Sequence, residues 1–314
     1  MQIRLPRLTV MTARGRDSFE RAQLQAMEAV AALTVHAVPT ALSRPAFAEL
    51  CGGADIVGLT PRAMPDLDRD SIAAVSGLRA LAVHATGTEW VDVDYLRTCN
   101  IAFASCTDYS AQTVAEHALA MVLTLSRRTH LSDRIARGEL AREVSLRGWE
   151  LAGKRIGMIG YGQIGRRIGA LAQAFGMELV WTDPALAPDA AARSLAELLE
   201  TSHVVMLACS RERNAPPLLG EEQLQRMRPG AYLINPARRA LVDSRAVLEA
   251  IAARRLAGYA VDDYVFSDAQ TRHLEPGRIL QSGHSAWYSD EAMARGLQQW
   301  VESLVRLARE FRHD

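Results

Sequence analysis

The feature that most limits what this chain can fold into is Gly160-Tyr161-Gly162-Gln163-Ile164-Gly165, a G-x-G-x-x-G run. Glycine pairs are common in turns, so the run alone says little. Its flanks say more. It follows an apolar stretch, Ile156-Gly157-Met158-Ile159, and opens a helical pattern from Ile164 to Phe175. A second apolar stretch, Glu178-Leu179-Val180-Trp181, comes next, and Asp183 lies 18 residues after Gly165. Strand, glycine turn, helix, strand and acidic residue in that order make the βαβ unit that holds a dinucleotide. Gly160 allows the tight turn, Gly162 lets the backbone approach a pyrophosphate, and Gly165 lets helix and strand pack closely. Gln163 and Ile164 start the helix, whose free N–H groups suit phosphate oxygens. Asp183 can accept hydrogen bonds from the adenosine ribose and repels a 2′-phosphate, which favours NAD over NADP.

The same alternation runs through the rest of the chain. Leu8–Met11, Ala54–Leu59 and Leu78–Val83 read as strands, and Ser18 to Leu33 reads as a helix. Further strands are expected at Arg155–Ile159, Glu178–Trp181, Val204–Leu207, Ala231–Ile234 and Gly258–Val261. Such alternation implies parallel sheets with helices on both faces. Thr113 to Arg128 is a long helix with Val114, Ala118, Met121, Val122 and Leu125 at helical spacing. The polar stretch Ser132 to Glu143 is a candidate bridge between two domains. The last element, Asp290 to Phe311, carries a stripe of Leu297, Trp300, Leu304, Leu307 and Phe311, read as core packing. A length of 314 residues suits two domains.

Composition closes several other functions. Lys+Arg and Asp+Glu both number 36, so the formal net charge is zero and nothing draws the whole surface to nucleic acid or an anionic membrane. No apolar run approaches the roughly 20 residues of a membrane span. Cys51, Cys99, Cys106 and Cys209 include no C-x-x-C pair, so neither a zinc site nor a disulfide framework is signalled. Scattered cysteines fit a reducing compartment. The run from Met1 to Arg7 lacks the continuous apolar core of a secretory signal. A cytoplasmic protein is expected.

Four stretches resemble the D-isomer-specific 2-hydroxyacid dehydrogenases, the family that includes phosphoglycerate dehydrogenase. They are Gly87-Thr88-Glu89-Trp90-Val91-Asp92, Leu151–Gly157 leading into the glycine run, Ile234-Asn235-Pro236-Ala237-Arg238-Arg239-Ala240-Leu241-Val242-Asp243, and Gly283-His284-Ser285-Ala286-Trp287-Tyr288-Ser289. The last resembles most the branch of C-terminal-binding proteins, which are dehydrogenase-like corepressors. The likeness runs from about Leu78 to the C-terminus. It implies two doubly wound α/β domains. An interrupted flavodoxin-like substrate domain would span 1–100 and 284–314, and an inserted Rossmann NAD-binding domain would span 101–283. The active site would lie in the cleft between them. It also implies a homodimer formed through the coenzyme domain, for which the Thr113–Arg128 helix is a candidate, although its apolar spacing suits a core helix equally.

The resemblance also implies a chemistry, reduction of a small 2-oxo acid or oxidation of a 2-hydroxy acid. The substrate carboxylate must be held, the carbonyl polarised and a proton delivered. Arg238 matches the catalytic arginine, whose planar fork pairs with carboxylate and carbonyl oxygens together. His284 matches the general acid/base, since an imidazole titrates near neutrality. Backbone N–H groups of Ala85, Thr86 and Gly87 would meet the substrate carboxylate, with His84 just before them. Asp262 matches an aspartate that contacts the nicotinamide carboxamide, and Cys209 and Pro236 match positions lining the cofactor. The remaining histidines (His36, His117, His130, His203, His273 and His313) form no metal-like cluster, and no metal is expected.

The chain departs from the family pattern twice. Ser267 stands where the family carries a glutamate, five residues after Asp262, that hydrogen-bonds the histidine. A serine can orient an imidazole but cannot stabilise imidazolium by charge. Ser267 or the neighbouring Asp268 is the candidate partner. Arg239 replaces a glycine beside Arg238. Two alternatives therefore stay open: hydride transfer like that of formate dehydrogenases, which need no proton delivery to substrate, and a non-catalytic NAD(H)-sensing binding protein.

Overall fold

The computed structural model describes residues 4–311. Met1–Ile3, part of the N-terminal run read above, and His313 lie outside the described residues. The chain divides into two compact units, one running to Tyr109 and resuming at Asp290, the other Ser110–Ser289.

In the first unit β1 (Arg7–Thr12), β2 (Ala32–Ala37), β3 (Ile56–Leu59), β4 (Ala80–Val83) and β5 (Ala102–Ser105) pair in parallel in the order β2-β1-β3-β4-β5. That order is flavodoxin-like. One face packs Met11, Phe47, Val57, Leu59, Leu81 and Val83 into a core. The other is covered by the C-terminal helix Asp290–Glu310, which buries Trp300, Leu304 and Leu307, as its apolar stripe requires. A Cβ on Gly58 would meet Leu304 at 3.0 Å, so the bare backbone there seats the helix.

The expected Ser18–Leu33 helix is corrected. The helix spans only Arg21–Glu28, and Ala32–Ala37 is β2. No glycine or proline separates the two, so the boundary leaves no mark in the sequence. Strand pairing to β1 decides it.

In the second unit β6 (Arg155–Ile159), β7 (Glu178–Thr182), β8 (Val204–Leu207), β9 (Ala231–Asn235), β10 (Leu256–Val261) and β11 (Ile279–Gln281) are again all parallel, in the order β11-β10-β9-β8-β6-β7. A single bridge, Trp181 to Ala192, extends the sheet past β7. With that bridge taken as a vestigial strand, the arrangement is the Rossmann order, its third strand shrunk to one residue. Residues along the strands alternate between two cores, as buried parallel strands must. Val205 and Leu207 face one core, and Val204 and Met206 face the other.

The long helix spans Ala111–Arg127 and buries Ala115, Ala118, Met121, Val122 and Leu125 in the second of these cores. The polar stretch expected to bridge two domains lies inside the second unit. Its start belongs to a further helix, Thr129–Ala136, tied down by the fully buried Leu131. Among the described residues no helix is long and apolar enough to cross a membrane.

Candidate active site

The topological switch point of the second unit lies between β6 and β8, where open α/β sheets bind ligands beyond the strand ends. Gly160 ends β6 there with φ +88°, and a Cβ on it would come within 2.7 Å of the Cys209 backbone beyond β8. A Cβ on Gly165 would come within 2.4 Å of the Gly160 carbonyl oxygen. Both glycines are demanded by close packing. Gly162 differs, because a Cβ there would meet nothing within 4 Å. Nothing inside the unit requires a glycine at that point. The open space lies at the start of helix Gln163–Ala174, the positive end of the helix dipole, which favours an anion. These residues fit a dinucleotide pyrophosphate.

Asp183 follows β7 and holds the rim of this cradle. Its Oδ2 accepts the Tyr161 N–H at 2.8 Å and its Oδ1 the Ala185 N–H at 2.9 Å. Tyr161 stacks on Trp181 at 5.1 Å, and the Arg166 guanidinium lies 5.0 Å from the Tyr161 ring centroid. Burial pushes the Cys209 thiol up, and the Asp183 carboxylate adds to that shift. Pro236 is buried just beyond β9.

Arg238 sits in the turn after β9, and Asn235 sets that turn. Asn235 is fully buried; its Nδ2 donates to the Arg238 carbonyl at 2.8 Å and to the Tyr259 hydroxyl at 3.1 Å, and its Oδ1 accepts the Ala237 N–H at 3.2 Å. Arg239 is exposed, with its guanidinium 4.3 Å over the Tyr264 ring.

The loop carrying His284 is organised by Asp262. That carboxylate is 3% exposed. Its Oδ1 accepts from Ser282 Oγ at 2.6 Å and the Ser285 N–H at 2.9 Å; its Oδ2 accepts the Ala286 N–H at 2.8 Å. The Asp262 carbonyl accepts the His284 N–H, and His117 Nε2 lies 3.7 Å from Asp262 Oδ1. These bonds hold His284 at φ +60°, a left-handed conformation uncommon outside glycine. The Asp262 oxygens thus have partners within the protein, and Oδ2 keeps acceptor capacity to spare.

The expected partners of the His284 ring are corrected. Ser267 heads the short helix Asp268–Thr271, its Oγ 3.1 Å from Gln270 Oε1. Asp268 is exposed in the first turn of that helix. The side chain that meets His284 is Asp263, with Oδ1 2.7 Å from Nδ1. Burial pushes the Asp263 carboxyl up. The His284 hydrogen bond and charge, with Arg238 and the Arg239 N–H, outweigh it and hold the group below the usual carboxylate range. Asn235, Asp263, Tyr259 and Ser282 are absent from the expected site. The Asp262-Asp263 pair was the one signal for Asp263, because adjacent carboxylates after a strand end point to different neighbours.

In the first unit, Ala85-Thr86-Gly87 follow β4. Among the described residues no acceptor takes their N–H groups. The Gly87 carbonyl accepts Trp90 Nε1–H at 2.9 Å, and Asp92 Oδ1 accepts the Tyr95 N–H at 3.0 Å, capping helix Val93–Thr98. His84 lies between Trp300 and Tyr109, with ring centroids at 5.3 and 5.8 Å. Its Nε2 is buried without a partner among the described residues, and burial pushes its pKa down to about 4. Among the described residues no group of three or more His, Cys, Asp or Glu side chains is placed to hold a metal ion.

The family model described as "D-isomer specific 2-hydroxyacid dehydrogenase, NAD binding domain" matches residues 119–286. The chain is similar to (S)-sulfolactate dehydrogenase of Chromohalobacter salexigens, 34% identical over 221 residues, 68% of this chain and 71% of that protein. It is similar to D-lactate dehydrogenase kk1H of Curvularia clavata, 27% identical over 296 residues, 85% of this chain and 83% of that protein. Among solved structures, an acyclic imino acid reductase in complex with NADPH and D-Arg superposes with a TM-score of 0.83 at 24% identity, covering 94% of this chain and 95% of that one.

Proposed function

The chain belongs to the D-isomer-specific 2-hydroxyacid dehydrogenase family, and from that premise we propose which of its residues carry the reaction. It is an NAD(H)-dependent oxidoreductase that moves a hydride between nicotinamide and a small 2-oxo or 2-hydroxy acid. The second unit serves as the coenzyme domain and the first as the substrate domain. Gly160, Gly162, Gln163, Ile164 and Gly165 hold the pyrophosphate, and Asp183 takes the adenosine ribose. Cys209 and Pro236 line the cofactor. Asp262 offers the remaining acceptor capacity of Oδ2 to the carboxamide while it holds the His284 loop.

When bound, the nicotinamide supplies or accepts the hydride. The protein supplies position and charge. The N–H groups of Ala85, Thr86 and Gly87 hold the substrate carboxylate. Arg238 pairs with the carboxylate and the carbonyl oxygen and stabilises the charge that grows on that oxygen as the carbonyl is reduced. His284 donates a proton to the same oxygen and leaves as neutral imidazole; in oxidation it takes the proton back.

The observation that carries this assignment is the common anchoring of Arg238 and His284. Asn235 fixes the Arg238 carbonyl, and its own carbonyl accepts the N–H of Asp262, the residue that fixes the His284 loop. We further propose a cytoplasmic homodimer, which a solution mass of two chains supports and a monomer contradicts.

The test is NADH oxidation with glyoxylate, hydroxypyruvate, pyruvate, phenylpyruvate and 2-oxoglutarate. Turnover is expected with at least one acid, falling about 10²- to 10³-fold in Arg238→Ala. Tight NADH binding without turnover on any of them points instead to a sensor.

A further inference from the structure

An imidazole that passes a proton through one ring nitrogen needs its other nitrogen held, or the ring turns and the tautomer is lost. Among the described residues His284 has a ring partner at Nδ1, the Asp263 carboxylate at 2.7 Å. The other oxygen of that carboxylate accepts the Arg239 N–H at 3.3 Å. Backbone pairing between Asp263 and Gly283 fixes the same contact from below. One carboxylate thus ties the arginine turn to the histidine loop. Successive residues leaving a strand face opposite ways. Asp262 therefore turns into the 282–286 loop while Asp263 turns to the ring.

We infer that Asp263 is the positioning acid of this site, holding His284 with Nδ1–H toward the carboxylate and Nε2 left to exchange a proton with the substrate oxygen. It takes the role of the glutamate whose place Ser267 occupies, from a position four residues earlier in the chain. This rests on the reductase function proposed above. The other ionisable groups facing the pair are Asp262 and His117 behind the loop, and Arg238 and Arg239 on the neighbouring turn. Asp263 is the one whose side chain is seen hydrogen-bonded to the ring, at Nδ1. A carboxylate at Nδ1 brings a charge to the ring that a serine at 267 would not.

The experiment measures the reaction of His284 with diethyl pyrocarbonate in the unliganded protein, by peptide mass spectrometry across pH. In Asp263→Asn the pH of half-maximal reaction is expected to fall by about one pH unit or more. Reductive kcat falls about ten- to a hundredfold while KM for the 2-oxo acid changes less than about threefold. Asp263→Glu recovers part of the loss, and Ser267→Ala behaves as wild type. An unchanged midpoint in Asp263→Asn, or the same loss in Ser267→Ala, overturns the inference. If Asp263→Asn does not fold, Asp263→Ser carries the same comparison. A wild-type protein inactive on every 2-oxo acid overturns the proposed function, yet the carbethoxylation profiles still report on the Asp263–His284 pair.

Discussion

Asn235 and Asp262 sit side by side at the ends of β9 and β10, the Asp262 N–H donating to the Asn235 carbonyl at 3.1 Å. Each side chain is buried; Asn235 turns into the loop that follows its own strand, and Asp262 into the loop that follows the neighbouring β11. Asn235 fixes the turn of Arg238, and Asp262 fixes the loop of His284. Two exposed or half-exposed reactive side chains are therefore set by two buried neighbours, which is how a rigid sheet transmits position to its loops.

Asn235→Ala removes the side-chain donor to the Tyr259 hydroxyl and the acceptor of the Ala237 N–H, and leaves the Arg238 carbonyl with the Leu241 N–H alone of its two donors. Stability should fall by about 2–3 kcal/mol, measured by urea unfolding. Turnover should fall further than NADH affinity, because the arginine turn loosens while the glycine cradle stays. Equal losses in both would show that Asn235 supports the whole unit instead.

Gly162→Ala and Gly165→Ala should separate cofactor binding from folding. The first adds a methyl to open space, so thermal unfolding stays near wild type while NADH affinity drops at least tenfold. The second drives a methyl into the Gly160 carbonyl, so it lowers stability, by about 1–3 kcal/mol. Fluorescence titration with NADH and thermal melts read the two effects. A Gly162→Ala protein that binds NADH normally would contradict the placement of the pyrophosphate.

Asp183→Ser should shift coenzyme choice. It removes the charge that repels a 2′-phosphate and one acceptor for the ribose hydroxyls. The ratio of kcat/KM for NADPH to that for NADH is expected to rise about tenfold or more. An unchanged ratio would remove Asp183 from the ribose site and leave it as the acceptor for the Tyr161 and Ala185 N–H groups alone.

His84 gives the first unit an acid sensitivity. Folded, its pKa lies at about 4; free, near 6.5. Between those values the unfolded chain binds a proton that the folded unit excludes. Stability from this group is therefore complete above about pH 6.5 and is lost as pH falls toward 4, by up to roughly 3 kcal/mol. Urea unfolding of wild type and His84→Phe at pH 7.5 and 4.5 isolates it. The wild type should lose more than the variant over that interval, and identical losses would contradict the burial of a neutral ring.

Much of this was legible in the sequence where chemistry needs a residue type at a fixed spacing. The glycine run, Arg238 in the Asn235–Asp243 stretch and His284 all follow that logic. What was not legible depends on pairing across the chain. Ala32–Ala37 joins a helix without a breaker, Ala102–Ser105 mixes alanines with one phenylalanine, and Ile279–Gln281 is three residues long. Each becomes a strand because a neighbouring edge completes its hydrogen bonds. Asp263 was missed for a related reason. Counting along the motif leads to Ser267, whereas the contact is made by a loop 21 residues away folding back on the strand end.

The most direct test of the account is single-turnover oxidation of NADH by a reactive 2-oxo acid in wild type and His284→Ala, with NADH affinity measured separately in each. The account predicts a rate lowered at least a hundredfold in the variant with NADH affinity within about twofold of wild type. A variant that turns over at the wild-type rate would contradict proton transfer through His284, and with it the reading of Arg238, His284 and their anchors as one catalytic site.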